Sequence, residues 1–407
     1  MSRKGILLLT TTALLLSVFS IIRVEAQTSM VFATGLKRPV KIIYVQKNGY
    51  FLVAENGDVQ VPNSGRISIV TNEGGRFTLI DGLPSGPTPP NLDNSGPSAM
   101  VIQGEKLYVA IGNGNATLNG PAQGSEIPNP NPNSPIFSSV LEFQFLPLGF
   151  RPGRASYELS LNDHTRLANG ETILLGSLGS PKARMRLVAD FPNFTPSPRP
   201  DAPNNVRPSN PFGIAAHANG LYVVDAAQNN IWTIDLGTGT VGNLITYPFR
   251  PNPTPVGAPF VEPVPDSLRL FGNKLLVTFL VGFPFPAGTA NVRQYDLDSG
   301  VESQVIGGLT SAIDVLPFEA SGFCSSFYTL EYSTSMLMGA PGRLQRFDTP
   351  NGPPTLISNT LATPTSMARN PATGDLVVTE IVPGRLTRIS NLPGAFVDQP
   401  ESGIKDF

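Results

Sequence analysis

Four carboxylates, Glu55, Asp225, Glu331 and Glu380, stand at matching points of the chain, each closing a short run of apolar residues. Gathered at one mouth with Asn56, Asn113 and Asn229, such oxygens could hold Ca²⁺, which takes six to eight of them. A pair at the right separation would instead suit acid–base hydrolysis. We expect the plainer role, in which acids at strand ends accept backbone amide bonds from neighbouring loops. The corresponding points elsewhere hold Ile111 and Phe279, so the acids do not complete a ring. The only histidines, His164 and His217, have no metal-like spacing and are expected to be structural or solvent-exposed. No nucleophile elbow, zinc-protease helix, P-loop or dinucleotide fingerprint is present. Phe283 and Phe285, in the run Gly282-Phe-Pro-Phe-Pro-Ala-Gly288, either plug a channel mouth or form an adhesive patch.

The elements that position these residues come from a phrase that recurs six times. A turn residue, usually proline, leads an apolar strand, a polar turn and a second strand. The copies begin at Pro39, Pro97, Pro211, Pro265, Ala312 and Pro364. A third strand follows each, and a fourth follows five of them. Spaced self-similarity of this size and strand content predicts an all-β, six-bladed β-propeller of four-stranded blades. The missing fourth strand is expected at the other end of the chain. Residues 29–36 should pair as the outer strand of the last blade and close the ring, hiding the edges an open sheet exposes.

Alternation along the first strand places Lys41, Ala99, Gly213, Ser267, Asp314 and Ser366 towards the central channel. These are small or polar, as crowding near the axis requires, and Lys41 and Asp314 are the only charges among them. The next residues, Ile42 to Met367, are expected to pack between blades. Long connections gather on one face: 84–96, 112–138, 192–210, 250–263, 280–290 and 332–341. One, 146–182, falls on the other. Loops carry function on a rigid scaffold, so the crowded face is the expected working surface. Trp232 is expected in the core.

Residues 1–26 read as a signal peptide: Arg3 and Lys4, an apolar run, then Val24-Glu25-Ala26. The rival reading is a membrane anchor. Cleavage near Ala26 implies a secreted or periplasmic chain with no span in its mature part. The propeller is assigned to 27–392 and a C-terminal tail to 393–407. With 28 basic and 30 acidic side chains in the whole chain, no basic stripe exists for nucleic acid. The single cysteine, Cys324, cannot form an internal disulfide and is expected as a small buried hydrophobe. A monomer is expected.

The segment from Gly282 to Asp296, with Ser209-Asn-Pro-Phe-Gly-Ile-Ala-Ala216 and Leu221-Tyr-Val-Val-Asp225, resembles the ScyD/ScyE family of exported β-propeller proteins. Val31-Phe-Ala-Thr-Gly-Leu36, Gly308-Leu-Thr-Ser-Ala-Ile-Asp-Val315 and Leu376-Val-Val-Thr-Glu380 fit the same pattern. The resemblance spans roughly residues 29–392; the Phe-Pro-Phe-Pro loop is its most specific part, and the strand phrases alone would fit many NHL-like propellers. It implies secretion and a propeller but transfers no catalytic residues. The expected function is therefore binding or scaffolding on the loop-rich face, towards an unidentified ligand or envelope protein, with no obligate cofactor. The alternatives are a metal-dependent hydrolase of the gluconolactonase type, with Ca²⁺ in the channel, and a structural module of the envelope. For the hydrolase, channel slots filled by Ala99, Gly213 and two serines are poor metal-binding material.

Overall fold

The computed structural model describes residues 27–59, 61–90, 93–145, 153, 155–176, 181–218, 220–320 and 324–392. Residues 1–26, expected as a signal peptide, residues 393–407, expected as a tail, and the side chain of Cys324 lie outside the described residues. Six antiparallel sheets form the ring of a six-bladed propeller. The innermost strands are Pro39–Val45, Pro97–Gln103, Pro211–His217, Pro265–Phe271, Ala312–Ala320 and Pro364–Arg369. Each touches the next in order, and the sixth touches the first. Thr28–Thr34 pairs antiparallel with Arg385–Ser390 as the outer strand of blade 6, so the ring closes as the sequence predicts.

All six innermost strands carry a register shift just after the lead residue, beginning at Pro39, Pro97, Pro211, Pro265, Ala312 and Pro364. A bulge adds a residue and re-aims the side chains beside it. Here it brings the residue after each lead position inward alongside the slot assigned to the channel. The same lead-in is fastened identically in every blade. The amide after the second strand donates to the carbonyl before the lead residue: Asn56 to Arg38, Gly112 to Gly96, Ala226 to Asn210, Leu280 to Val264, Tyr332 to Ser311 and Ile381 to Thr363.

Ile42, Met100, Ile214, Leu268, Val315 and Met367 are all buried, and apolar clusters fill the space between blades. Trp232 is half-buried and stacks on Phe191 with ring centroids 5.4 Å apart. Blades 1 and 2 depart from four strands. The second-face insertion adds Tyr157–Glu158 parallel to the outer strand of blade 1, and Ile173–Leu175 antiparallel to that of blade 2. Between them lies a helix, Leu161–Ala168, set by a reciprocal Ser160–Asp163 capping box. Eight residues are too few for hydrophobic periodicity to reveal, and the cap was its only signature in the sequence. His164 on this helix is fully buried, with Nδ1 3.1 Å from Ser134 Oγ and Nε2 2.8 Å from the Gly82 carbonyl. Burial lowers its pKa, so it is a neutral strut tying the insertion to blade 1. No helix among the described residues is long and apolar enough to cross a membrane.

Candidate functional site

The four strand-end carboxylates are fully buried, and each is occupied within its own blade. Glu55 accepts from the Lys37 amide and from Ser68 Oγ. Asp225 accepts from Ser209 Oγ at 2.5 Å, the amides of Asn210 (2.8 Å), Gln228 (3.0 Å) and Ala227 (3.2 Å), and Trp232 Nε1 at 3.3 Å. Glu331 takes the Thr310 amide at 2.6 Å and Arg343 Nε. Glu380 takes the Ala362 amide at 2.5 Å, Arg385, and Thr387 Oγ1. In every case one partner is the lead-in of the same blade and another is its third strand. The acids are clasps joining three segments.

Burial raises the pKa of Glu55 and of Asp225 against the pull of their donors. For Glu380, burial is outweighed by Arg385, Thr387 and the Ala362 amide, and the pKa falls. Among the described residues, no three His, Cys, Asp or Glu side chains gather to hold a metal ion. The hydrolase reading rests on acids that already have their partners.

The axis is richer than the sequence suggests. Asp314 is fully buried, and its carboxylate collects Ser267 Oγ (2.6 Å), Ser366 Oγ (2.9 Å), and the amides of Val315 (2.9 Å) and Met367 (3.0 Å). Arg269 grips both oxygens, at 3.2 and 2.7 Å, and Lys41 Nζ lies 3.7 Å away while donating to Ser267 Oγ at 3.3 Å. Blades 1, 4, 5 and 6 thus meet on one carboxylate. Burial would push its pKa up, but the Arg269 and Lys41 charges and the hydroxyl donors hold it well below the usual carboxylate range. Sequence reasoning placed Lys41, Ser267, Asp314 and Ser366 in these slots and missed Arg269, two residues beyond Ser267 on the same face of its strand. It also missed Asp266, re-aimed by the bulge. Asp266 is buried, its Oδ2 has no hydrogen-bond partner among the described residues, and burial lifts its pKa well above the usual range.

The hairpin Gly86–Thr88/Asp93–Ser95 connects blades 1 and 2. Asp93 pairs with Arg38 of blade 1, and Tyr332 of blade 5 lies close enough to feel both charges, after burial as the main cause of its raised pKa. Asn56 and Asn94 exchange amide-to-carbonyl bonds at 2.8 and 2.5 Å. Asn56 therefore serves as a tie between blade 1 and this hairpin.

Phe283 and Phe285 form one aromatic pair on the loop-rich face. Their rings meet edge to face at 6.1 Å, beside Gly257 of the preceding lead-in, and Phe283 is 55% exposed. Phe285 holds a left-handed φ of 59°, a conformation that costs about 1–3 kcal/mol and collects at functional sites. Other loops of the same face expose Val61, Leu118, Phe249, Val256, Phe260 and Val382, together with Leu337 at 62% and Met338 at 83%. The opposite face exposes Val301 in a short turn and Leu161 and Leu174 in its insertion.

Ring and clasps define a six-bladed β-propeller whose loop-rich face carries exposed apolar side chains. No family profile and no curated protein matches the sequence. Solved structures do. An auxiliary nutrient binding protein from Bacteroides thetaiotaomicron is 9% identical, with a TM-score of 0.50 over 90% of this chain and 76% of that one. A gluconolactonase from Xanthomonas campestris is 8% identical, with a TM-score of 0.49 over 90% and 91%. At such identities the likeness is one of fold alone.

Proposed function

We propose that this protein is an exported, non-catalytic propeller of the ScyD/ScyE type that binds an envelope component through its loop-rich face. The observation that carries this reading is the set of large apolar side chains held in water on that face, above all Phe283, Leu337 and Met338. Exposed apolar area gathered on one side of a folded chain marks an interaction surface. Support also comes from the strained Phe285 beneath Phe283, and from acids that serve the blades. The chain is expected to begin at Gln27 after export, which intact-mass measurement of the secreted protein checks.

The test is fractionation of cells expressing the full chain or a Phe283→Ser, Leu337→Ser, Met338→Ser variant. The wild type should sediment with the envelope, and the variant should move to the soluble fraction at an unchanged Tm. Equal distribution of the two would sink the proposal. The binding reading also needs no metal. Chelation followed by millimolar Ca²⁺ is expected to leave Tm where it was, because a ligand of the folded state alone would raise it. A rise abolished by Glu55→Gln with Asp225→Asn would restore the hydrolase.

A further inference from the structure

Where the chain passes from blade 3 to blade 4, two guanidinium groups stand together with a single carboxylate. Tyr247 follows the outer strand of blade 3, and Arg250 opens a small hairpin, Arg250–Pro251 with Phe260–Val261. Arg293 comes from the third strand of blade 4, Ala290–Asp296, and Glu302 from its outer strand, Glu302–Leu309. Arg293 lies directly across from Val277, which packs with Phe279 against blade 3, so it faces the same junction. The buried ring of Phe279 ties the group together. Tyr247 meets it edge to face with centroids 4.8 Å apart, and Arg250 Cζ lies 4.8 Å from its centroid.

The charges here do not balance. Arg293 Nη2 pairs with Glu302 Oε2 at 2.8 Å. Arg250 is half-buried, and beyond its ring contact it has no hydrogen bond or ion pair with any described residue. Burial and then the neighbouring Arg293 charge lower its pKa. Two further donors are shut in nearby. Arg293 Nε and the Tyr247 hydroxyl are buried with no hydrogen-bond partner among the described residues, and Tyr247 is only 6% exposed. Glu302 Oε1 is likewise buried and without a donor. Buried polar groups left unpaired cost free energy, so three of them beside an unpaired guanidinium point to a ligand that completes them.

The chemistry of that ligand follows from the groups. With Glu302 offset by Arg293, one positive charge is left over, which selects a singly charged anion. The donors Arg250, Arg293 and Tyr247 sit on three separate segments, which suits a tetrahedral group better than a planar carboxylate lying in one guanidinium fork. A phosphodiester meets both conditions. Glu302 Oε1 calls for a donor as well, which a hydroxyl beside the phosphate supplies. Phe249, next to Arg250 in the chain, and Phe260, across the hairpin from Pro251, are both exposed. They give the site an apolar rim.

We propose that the junction of blades 3 and 4 binds a hydroxyl-bearing phosphodiester, the chemistry of a phosphoglycerol headgroup. The phosphate takes Arg250, Arg293 and the Tyr247 hydroxyl, and the glycerol hydroxyl donates to Glu302. A lipid as its source, with hydrocarbon chains along Phe249 and Phe260, rests on the envelope-binding reading above. The site itself stands without that reading.

Two probes test it on the mature protein: glycerophosphoglycerol, titrated by calorimetry, and phosphatidylglycerol vesicles, read by co-sedimentation. Binding of both supports a lipid source, and so does binding of vesicles alone, which would mean that the chains are needed. Binding of the free headgroup alone supports the site with a soluble phosphodiester as its ligand. In each case Arg250→Gln, which breaks no hydrogen bond or ion pair, should weaken binding about tenfold or more at an unchanged Tm. Tyr247→Phe removes a hydroxyl that has no partner, so it should weaken binding without lowering Tm. A hydroxyl with only a structural role would lower Tm and leave binding alone. No binding of either probe at millimolar concentration, or an Arg250→Gln variant that binds like wild type, would overturn the proposal. Neither result bears on the fractionation of the Phe283, Leu337 and Met338 variant, so the two readings fail separately.

Discussion

Two carboxylates forty-eight residues apart near the axis, Asp266 and Asp314, have opposite environments and should give opposite pH behaviour. Asp314 is ringed by donors and two cations, so its folded pKa lies below that of the unfolded chain, about 4. Its contribution to stability is present above that pH and is lost as pH falls below it. Asp314→Asn leaves Arg269 and Lys41 buried without their anion, which should cost about 3–5 kcal/mol at pH 7. Denaturant midpoints should show this gap narrowing as pH is lowered from 5 to 2. Asp266 faces the other way. Burial raises its pKa, so the folded chain keeps a proton that the unfolded chain releases above pH ~4. Its site is least costly below that pH, and stability falls as pH climbs towards the folded pKa. Asp266→Asn should therefore leave Tm unchanged at pH 3.5 and raise it by about 2 °C at pH 8. A variant less stable than wild type at pH 8 would mean that the buried carboxyl has a partner after all.

At the scale of the blade, the recurring phrase carried the strands into view because alternation and turn residues are local. The lead positions, the second-strand ends and the closing strand all fall where spacing places them. The bulge was not legible. It follows from six strands converging on one axis, and nothing in Pro265-Asp-Ser-Leu announces that the pairing slips there. That slip hid Asp266, and the same crowding drew in Arg269. Gly213 shows how tight the convergence is. A Cβ there would stand 2.4 Å from the Asp266 carbonyl oxygen and 2.8 Å from the Leu268 amide nitrogen. Backbone cannot yield as a side chain can, so Gly213→Ala should destabilise by about 1–3 kcal/mol through overpacking. Urea unfolding would measure this, and a shift under a few tenths would show that the inner strands have slack.

For the whole molecule, the consequential contact is the one between its two ends. Thr28–Thr34 leads directly into blade 1, yet it hydrogen-bonds along Arg385–Ser390 of blade 6. The Arg388 guanidinium lies 4.0 Å from the centroid of the Phe32 ring, and the Leu36 amide donates to the Gly384 carbonyl at 3.0 Å. Ala33 and Leu36 pack in the same cluster as Ile42, Phe51 and Val53 of blade 1. One strand therefore belongs to blade 6 by pairing and to blade 1 by sequence, and opening it separates the blades on both sides. Loop-closure entropy grows only slowly with length, so joining positions over 300 residues apart is affordable once this strand has both sets of contacts. Without it, Arg385–Ser390 becomes an unpaired edge, a template for pairing with a second chain. A mature chain lacking Thr28–Thr34 should elute earlier on size-exclusion chromatography and lose its single unfolding transition. If it stays monomeric and unfolds at the full-length midpoint, the ring is held by its inner strands, and the closing strand is dispensable.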